Sequence, residues 1–405
     1  VAHGGDDRRV MPSRRGLIDT TDDPAPWTDP HAVPRPALDG DTTADVLVVG
    51  GGLTGLWTAY YLLDADPSLD VLVVEAGATG QDERGLGTCS ARLGLGPQGL
   101  ADRFGDEAAG RARALLRDAV VEVGGVAAVE ELECGFAFGG EVMVAADDAA
   151  LARFALQAAA AVRWGDETDV LTRDQVVARV RVDESAVVGG TWSAEAARLD
   201  PGRLARGLAD TVVARGGRVV DGTRVARLSD GAAVTTHGTV RAGTLVDTRP
   251  PGPARTAATL ATPPLGASLW THLGMAHAEL VAHSDGLRLV RSSDDRLVAG
   301  RVPARGGLTT RAAAALVAPV RSSDALHDAL VGLLPVLLDV PVTHAWQRPL
   351  AAPGALPDVG LVDGRAWARS GGTGPAAANV AARGVAELVT GTVSDLTTAP
   401  WVRAG

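Results

Sequence analysis

At 405 residues the chain is longer than a typical single domain, which predicts two domains or one large α/β unit with an inserted lobe. A net charge of -11 with arginines scattered singly argues against a nucleic-acid partner, and no apolar run approaches the roughly 18 residues that cross a bilayer. Two cysteines, Cys89 and Cys134, exclude a disulfide framework and a four-ligand cysteine zinc site; no metal site is expected, and a reducing cytoplasm fits.

Residues 1–43 carry prolines at 12, 24, 26, 30, 34 and 36 without apolar periodicity, which predicts an irregular arm that packs back through Trp27. From Asp45 the pattern changes. "DVLVVG" is a short, continuously apolar run of the buried parallel-strand kind, and "LTGLWTAYYLLDAD" has helical spacing and ends before Pro67. "DVLVVEA" at 70–76 is a second buried strand, so a βαβ unit occupies about 30 residues. Helices are expected over 101–133 and 147–163, with a strand at 138–145 between them. Residues 206–228 read as helix, glycine turn and two strands, and 276–302 as antiparallel sheet with "SD" and "DD" turns. Near the C-terminus a glycine turn leads into Pro375 at a first helical position and a helix stopped by Gly391.

Gly50, Gly52 and Gly55 stand in G-x-G-x-x-G spacing between a strand and a helix, with Glu75 ending the next strand 20 residues later. That order is the one a dinucleotide needs. Gly50 permits the tight turn, Gly52 lets the backbone approach a pyrophosphate, Gly55 lets helix and strand pack, and Glu75 accepts hydrogen bonds from an adenosine ribose. Glu75 also repels a ribose 2'-phosphate, which disfavours NADP and leaves FAD and NAD open. The second glycine turn, Gly371, Gly372 and Gly374, aims another helix N-terminus at something negative; reduced flavin needs such a partner and nicotinamide does not.

With these motifs in view, the chain resembles the FAD-dependent oxidoreductases of the D-amino-acid oxidase and glycine oxidase superfamily, especially the γ-glutamylputrescine oxidase-like branch. The resemblance runs from about Asp45 onward and is carried by "DVLVVGGGLTGLWTAYYL", "VVEAGATG", "CSARLG", "EAARLDPGRLARGLADTVVARGGRV", "TRVARL", "DDRLVAGR" and the last glycine turn and helix. It implies a Rossmann-like FAD-binding domain with a mixed-sheet α+β substrate domain. It also implies that the Val225 backbone meets the adenine end of FAD, and that Arg84, Cys89 and Ser90 line the loop beneath the isoalloxazine. Gly372, Thr373 and Gly374 form the second turn. Two departures stand out. "GATGQDERGLGTCSA" replaces a family pattern like G-A-S-G-R-N-G-G-W-C-S-A, which implies an insertion at about Gln81 to Glu83 and Leu86 in place of glycine; Thr373 replaces a histidine.

The expected division is an arm at 1–43, an FAD-binding domain from 44–100, 190–250 and 341–405, and a substrate domain from 101–189 and 251–340. The expected activity is oxidation of a small amine or amino acid by hydride transfer from the carbon next to nitrogen to flavin N5, with oxygen or another electron acceptor. Substrate-side candidates are His272, His277, Arg291, His344, Trp346 and Arg348. The chain contains no lysine, so Schiff-base chemistry is excluded and only arginine or protonated histidine could supply a cation near the flavin. A flavoprotein-derived binding or scaffold protein is the alternative, kept in view by Leu86 and Thr373; a flavin hydroxylase ranks below it.

Overall fold

The computed structural model describes residues 23–81, 83–250, 252, 255–302, 323–350, 354–372 and 374–404. Its first sheet contains β1 (Thr42–Val49), β2 (Val71–Val74), β9 (Arg218–Val220), β10 (Val225–Ser229), β11 (Ala232–Thr235), β12 (Gly238–Asp247), β18 (Asp358–Val362), β19 (Arg365–Arg369) and β20 (Val402–Ala404). The main path runs β20-β18-β19-β12-β1-β2-β9, with the β10/β11 hairpin attached through β12. β1 lies parallel to both β2 and β12, and α1 (Leu53–Ala65) makes the crossover between β1 and β2. Leu47, Val48, Leu72 and Val73 are fully buried because both faces of this sheet are covered, and the continuous apolar runs follow from that.

The second sheet contains β5 (Glu141–Ala145), β6 (Asp169–Thr172), β7 (Gly189–Ser193), β13 (Arg255–Ala261), β14 (Leu280–His283), β15 (Leu287–Arg291), β16 (Leu297–Arg301) and β17 (His344–Leu350). Its order is β17-β13-β16-β15-β14-β5-β7-β6, antiparallel except for the β14/β5 pair. One face carries Leu260, Leu287, Leu289 and Leu297 into a core with Leu326 and Leu330 of the helix Ser323–Leu333 and Trp270 of the helix Ala267–Leu273. The opposite face looks toward the first unit, where Leu86 packs against Ala261, Val298 and Trp346. A small third sheet, β3 (Thr88–Ser90), β8 (Ala196–Arg198) and β4 (Ala137–Phe138), lies in segments joining the two.

Three placements differ from the sequence boundaries. The helix Asp106–Val129, expected in the substrate segment 101–189, buries Ala112, Leu116, Ala119 and Val123 in the core that holds α1 and the C-terminal helix Pro375–Thr390. β7 and β17 belong to the second sheet, although 190–250 and 341–405 were assigned to the first domain. Periodicity identifies an amphipathic helix or a strand, but not the neighbour that covers it.

Arg113 of that helix ties the units together. Its guanidinium donates to both Asp166 oxygens at 2.9 and 3.0 Å and to Glu195 Oε2 at 3.0 Å, while Arg117 reaches Asp166 Oδ1 at 2.7 Å. Within the arm, Trp27 is 4% exposed and meets Trp346 edge-on with ring centroids 5.8 Å apart, as the sequence led one to expect; residues 1–22 lie outside the described residues.

Candidate functional site: a dinucleotide cradle and a cationic sheet face

At the carboxyl end of β1, Gly50 has φ +111, and a Cβ there would lie 2.7 Å from Thr248 Oγ1. A Cβ on Gly55 would lie 1.9 Å from the Gly50 carbonyl oxygen, so the helix can sit this close to the turn only as glycine. Gly52 is the N-cap of α1, with extended backbone and no side-chain cap of its own. Glu75 follows β2, and its carboxylate accepts from the Gly51 N–H at 2.6 Å and the Gly77 N–H at 2.8 Å. Thr223 donates its N–H to the Glu75 carbonyl at 2.7 Å, which brings the start of β10, and Val225, to the same end of the sheet. These residues fit the adenosine and pyrophosphate half of a dinucleotide: backbone donors at a helix N-terminus, an acid at the second strand end and no Cβ in the turn.

The second helix N-terminus lies near β3. Gly372 and Gly374 have φ +71 and +107, Gly374 caps the helix Pro375–Thr390, and a Cβ on Gly374 would stand 3.2 Å from the Thr88 carbonyl oxygen. Thr373 lies outside the described residues. Cys89 is fully buried and accepts a hydrogen bond from the Ala376 N–H; burial nevertheless pushes its thiol up to about 12, so it is inert rather than nucleophilic. Ser90 follows it in β3, opposite Ala196.

Between β2 and β3 the unusual loop is pinned from two sides. Trp27 Nε1 donates to the Glu83 carbonyl at 2.7 Å, and Trp346 Nε1 donates to the Arg84 carbonyl at 3.2 Å. Leu86 is 7% exposed and turns onto the second sheet; a Cβ added to Gly300 would meet its Cδ2 at 2.6 Å. Leu86, which replaces a glycine of the family pattern, is therefore accommodated by packing: a glycine on β16 makes room for it. Glu83, from the inserted segment, accepts from the Leu53 N–H at 3.2 Å in the first turn of α1.

The sheet face beneath this loop carries charge. Strand register sets Trp346 opposite Thr259, Thr259 opposite Gly300 and Gly300 opposite Arg288, while Arg348 lies opposite Ala257. Paired residues of an antiparallel ladder share a face. Arg348 is 8% exposed; its Nη2 donates to the Arg301 carbonyl at 2.8 Å, and burial together with Arg288 lowers its pKa to about 10. Nearby, Arg92 is ion-paired with buried Glu141.

Of the substrate-side candidates, the structure brings only Trp346, Arg348 and His344 to this face. His344 sits at its margin, with Nδ1 3.0 Å from Thr343 Oγ1 and a pKa lowered by burial. Arg291 alternates to the helix-covered face, where it stacks 4.5 Å from the Trp270 ring and pairs with Asp295 at 2.6 Å. His272 is exposed on the helix Ala267–Leu273 on that same far side. His277 lines a separate 240 Å³ pocket with Phe138, Arg179, Trp192 and Glu279. Sequence reasoning missed Arg288, Thr259, Gly300 and Glu141. The signal for Arg288 was present in "LRLVR", where strict alternation sets it opposite Leu287 and Leu289.

A strand-turn-helix cradle, an acid at the second strand end and a mixed sheet facing the cradle define a two-unit dinucleotide-dependent oxidoreductase. The chain matches the family model "FAD dependent oxidoreductase" (DAO) over residues 45–388 and belongs to that family, so its dinucleotide is FAD. No curated protein gives a significant sequence match. Among solved structures, glycine oxidase from Geobacillus kaustophilus is similar, with TM-score 0.70 and 19% identity over 89% of this chain and 98% of that one. L-amino acid deaminase from Proteus myxofaciens gives 0.70 and 15% over 92% and 95%, and L-proline dehydrogenase from P. horikoshii gives 0.65 and 17% over 88% and 96%. At these identities the likeness is one of fold.

Proposed function

We propose that the protein oxidises a small amine or amino acid at the carbon next to nitrogen. The observation that carries this reading is Arg348: a buried guanidinium on the sheet face toward the cradle loop, with no acidic partner among the described residues and an Nε that has no acceptor. Such a cation recognises a carboxylate by paired N–H donors. Structural neighbours named for glycine, proline and L-amino acids support the substrate class.

FAD, when bound, supplies the hydride acceptor at flavin N5. The chain's own contribution is orientation and exclusion of water. Arg348 anchors the carboxylate, while Trp346, Leu86, Ala261 and Val298 close an apolar wall beside it. The amine reacts in its neutral form and leaves as an imine that water hydrolyses. Without lysine in the chain, a cation beside FAD would have to come from arginine or protonated histidine, and we expect electron transfer to favour an acceptor other than oxygen.

Within the family, the co-occurrence and order of the quoted motifs along the chain support the γ-glutamylputrescine oxidase-like branch. Two buried free cysteines fit a reducing cytoplasm, and among the described residues no helix is long and apolar enough to cross a membrane. Glu83 on α1 favours the second reading, a flavin-poor binding protein. Anaerobic mixing with primary and secondary amines, followed by air, tests both. Bleaching of the yellow cofactor and slow recovery are expected; rapid recovery removes the dehydrogenase assignment, and no bleaching by any amine favours the binding protein.

A further inference from the structure

Two guanidinium groups converge on the same face. Arg348 leaves β17, passes Ala257 of β13 and places its Nε 3.4 Å from where a Cβ on Gly300 would stand. Arg288 is directly paired with Gly300 on the other flank. Alanine at 257 puts no long side chain between them, Leu86 covers Gly300 from the loop side, and the two cations are close enough that Arg288 adds to burial in lowering the pKa of Arg348.

The neighbouring charges do not neutralise this pair. Arg92 is bonded to Glu141, and Arg301 to Asp285, which also holds His283. Arg288 feels Glu141 and Asp285 from a distance, yet among the described residues it forms no ion pair, and its buried Nη1 has no acceptor. Arg348 likewise has a buried Nε without an acceptor. Thr259 Oγ1, wholly buried and without a partner among the described residues, lies in the row between Trp346 and Gly300. Among the described residues, two matched pairs therefore leave two positive charges, together with donors that have no acceptor.

A single carboxylate compensates one of these cations and leaves the other buried against it, which is costly. A neutral amine adds nothing. We infer that the substrate carries two carboxylates, one held by Arg348 and the second by Arg288: an amino dicarboxylate or an N-carboxyalkyl amine. The inference rests on the oxidation reading above for the reacting nitrogen, but the two-anion site stands on its own geometry.

Titration calorimetry of the FAD-loaded protein with succinate and glutarate against propionate and butyrate tests it directly. The better diacid is expected to bind at least about tenfold more tightly than either monoacid, the scale of one additional charge-assisted contact. Arg288→Met should lower diacid affinity at least about tenfold more than monoacid affinity, and Arg348→Met should weaken both. Affinities within about threefold of each other in the unmodified protein would overturn the inference, whatever the variants do. So would an Arg288→Met effect equal for both classes, which means that the arginines share one carboxylate. Anaerobic bleaching separates the two readings. Equal kcat/KM for monocarboxylic and dicarboxylic amines discards the second carboxylate and keeps amine oxidation. Tight diacid binding with no bleaching by any amine upholds the two-anion site and discards oxidation.

Discussion

Glu83 accepts a hydrogen bond from the Leu53 N–H at 3.2 Å, which puts a carboxylate on the first turn of α1, the helix we propose faces the pyrophosphate of FAD. A carboxylate there gains about 0.3–1 kcal/mol from the helix dipole, whereas a pyrophosphate needs the same donors and is repelled by the acid. Glu83→Ala is expected to tighten FAD binding by about two- to fivefold, measured by quenching of flavin fluorescence. Weaker binding in the variant would mean that Glu83 supports the cradle instead of competing for it.

Glu75 acts on the same loop from the other side, accepting from Gly51 and Gly77 with separate oxygens. Glutamine can present only one acceptor oxygen to these two donors. Glu75→Gln should weaken FAD by about 1–3 kcal/mol and lower the melting temperature of the FAD-free protein as well. Unchanged affinity would show that other groups hold the ribose.

Gly300 and Leu86 are complementary by exclusion, since a Cβ at 300 would stand 2.6 Å from Leu86 Cδ2. Gly300→Ala is expected to destabilise the fold by about 1–3 kcal/mol through overpacking, and Leu86→Ala in the same chain should recover part of that loss. Strictly additive effects in denaturant unfolding would show that the two do not touch in solution.

Burial raises the Cys89 thiol to about 12 from an ordinary value near 9. The folded state thus keeps a proton that the unfolded chain gives up, so stability from this group is intact below pH about 9 and is lost as pH rises toward about 12. Cys89→Ala should flatten that part of the alkaline stability profile, measured by thermal melts. In the folded wild type, a thiol reagent at neutral pH should leave Cys89 unmodified; rapid labelling would contradict its burial.

How much of this was legible in the sequence follows from the range of the interactions. The βαβ unit, the order of glycines at 50, 52 and 55, the acid at 75, and the helix from Pro375 to Gly391 could be read directly, because each depends on residues within a few turns or one crossover of each other. The family resemblance drew on the same local motifs, and the match to the FAD-dependent oxidoreductase family bears it out at the level of the family. Tertiary structure alone decided which arginine faces the cradle. Arg291 and Arg288 stand three residues apart in one strand, yet alternation sends one to Trp270 and the other to the cationic face beside Gly300. It also joined Arg348 to Arg288 across β13 and β16, and brought Glu83 back onto Leu53 from 30 residues away. A strand's alternation is written in its sequence, but which face is covered by helices and which by the cradle loop depends on partners far along the chain, and burial by those partners is what makes the unpaired charges significant.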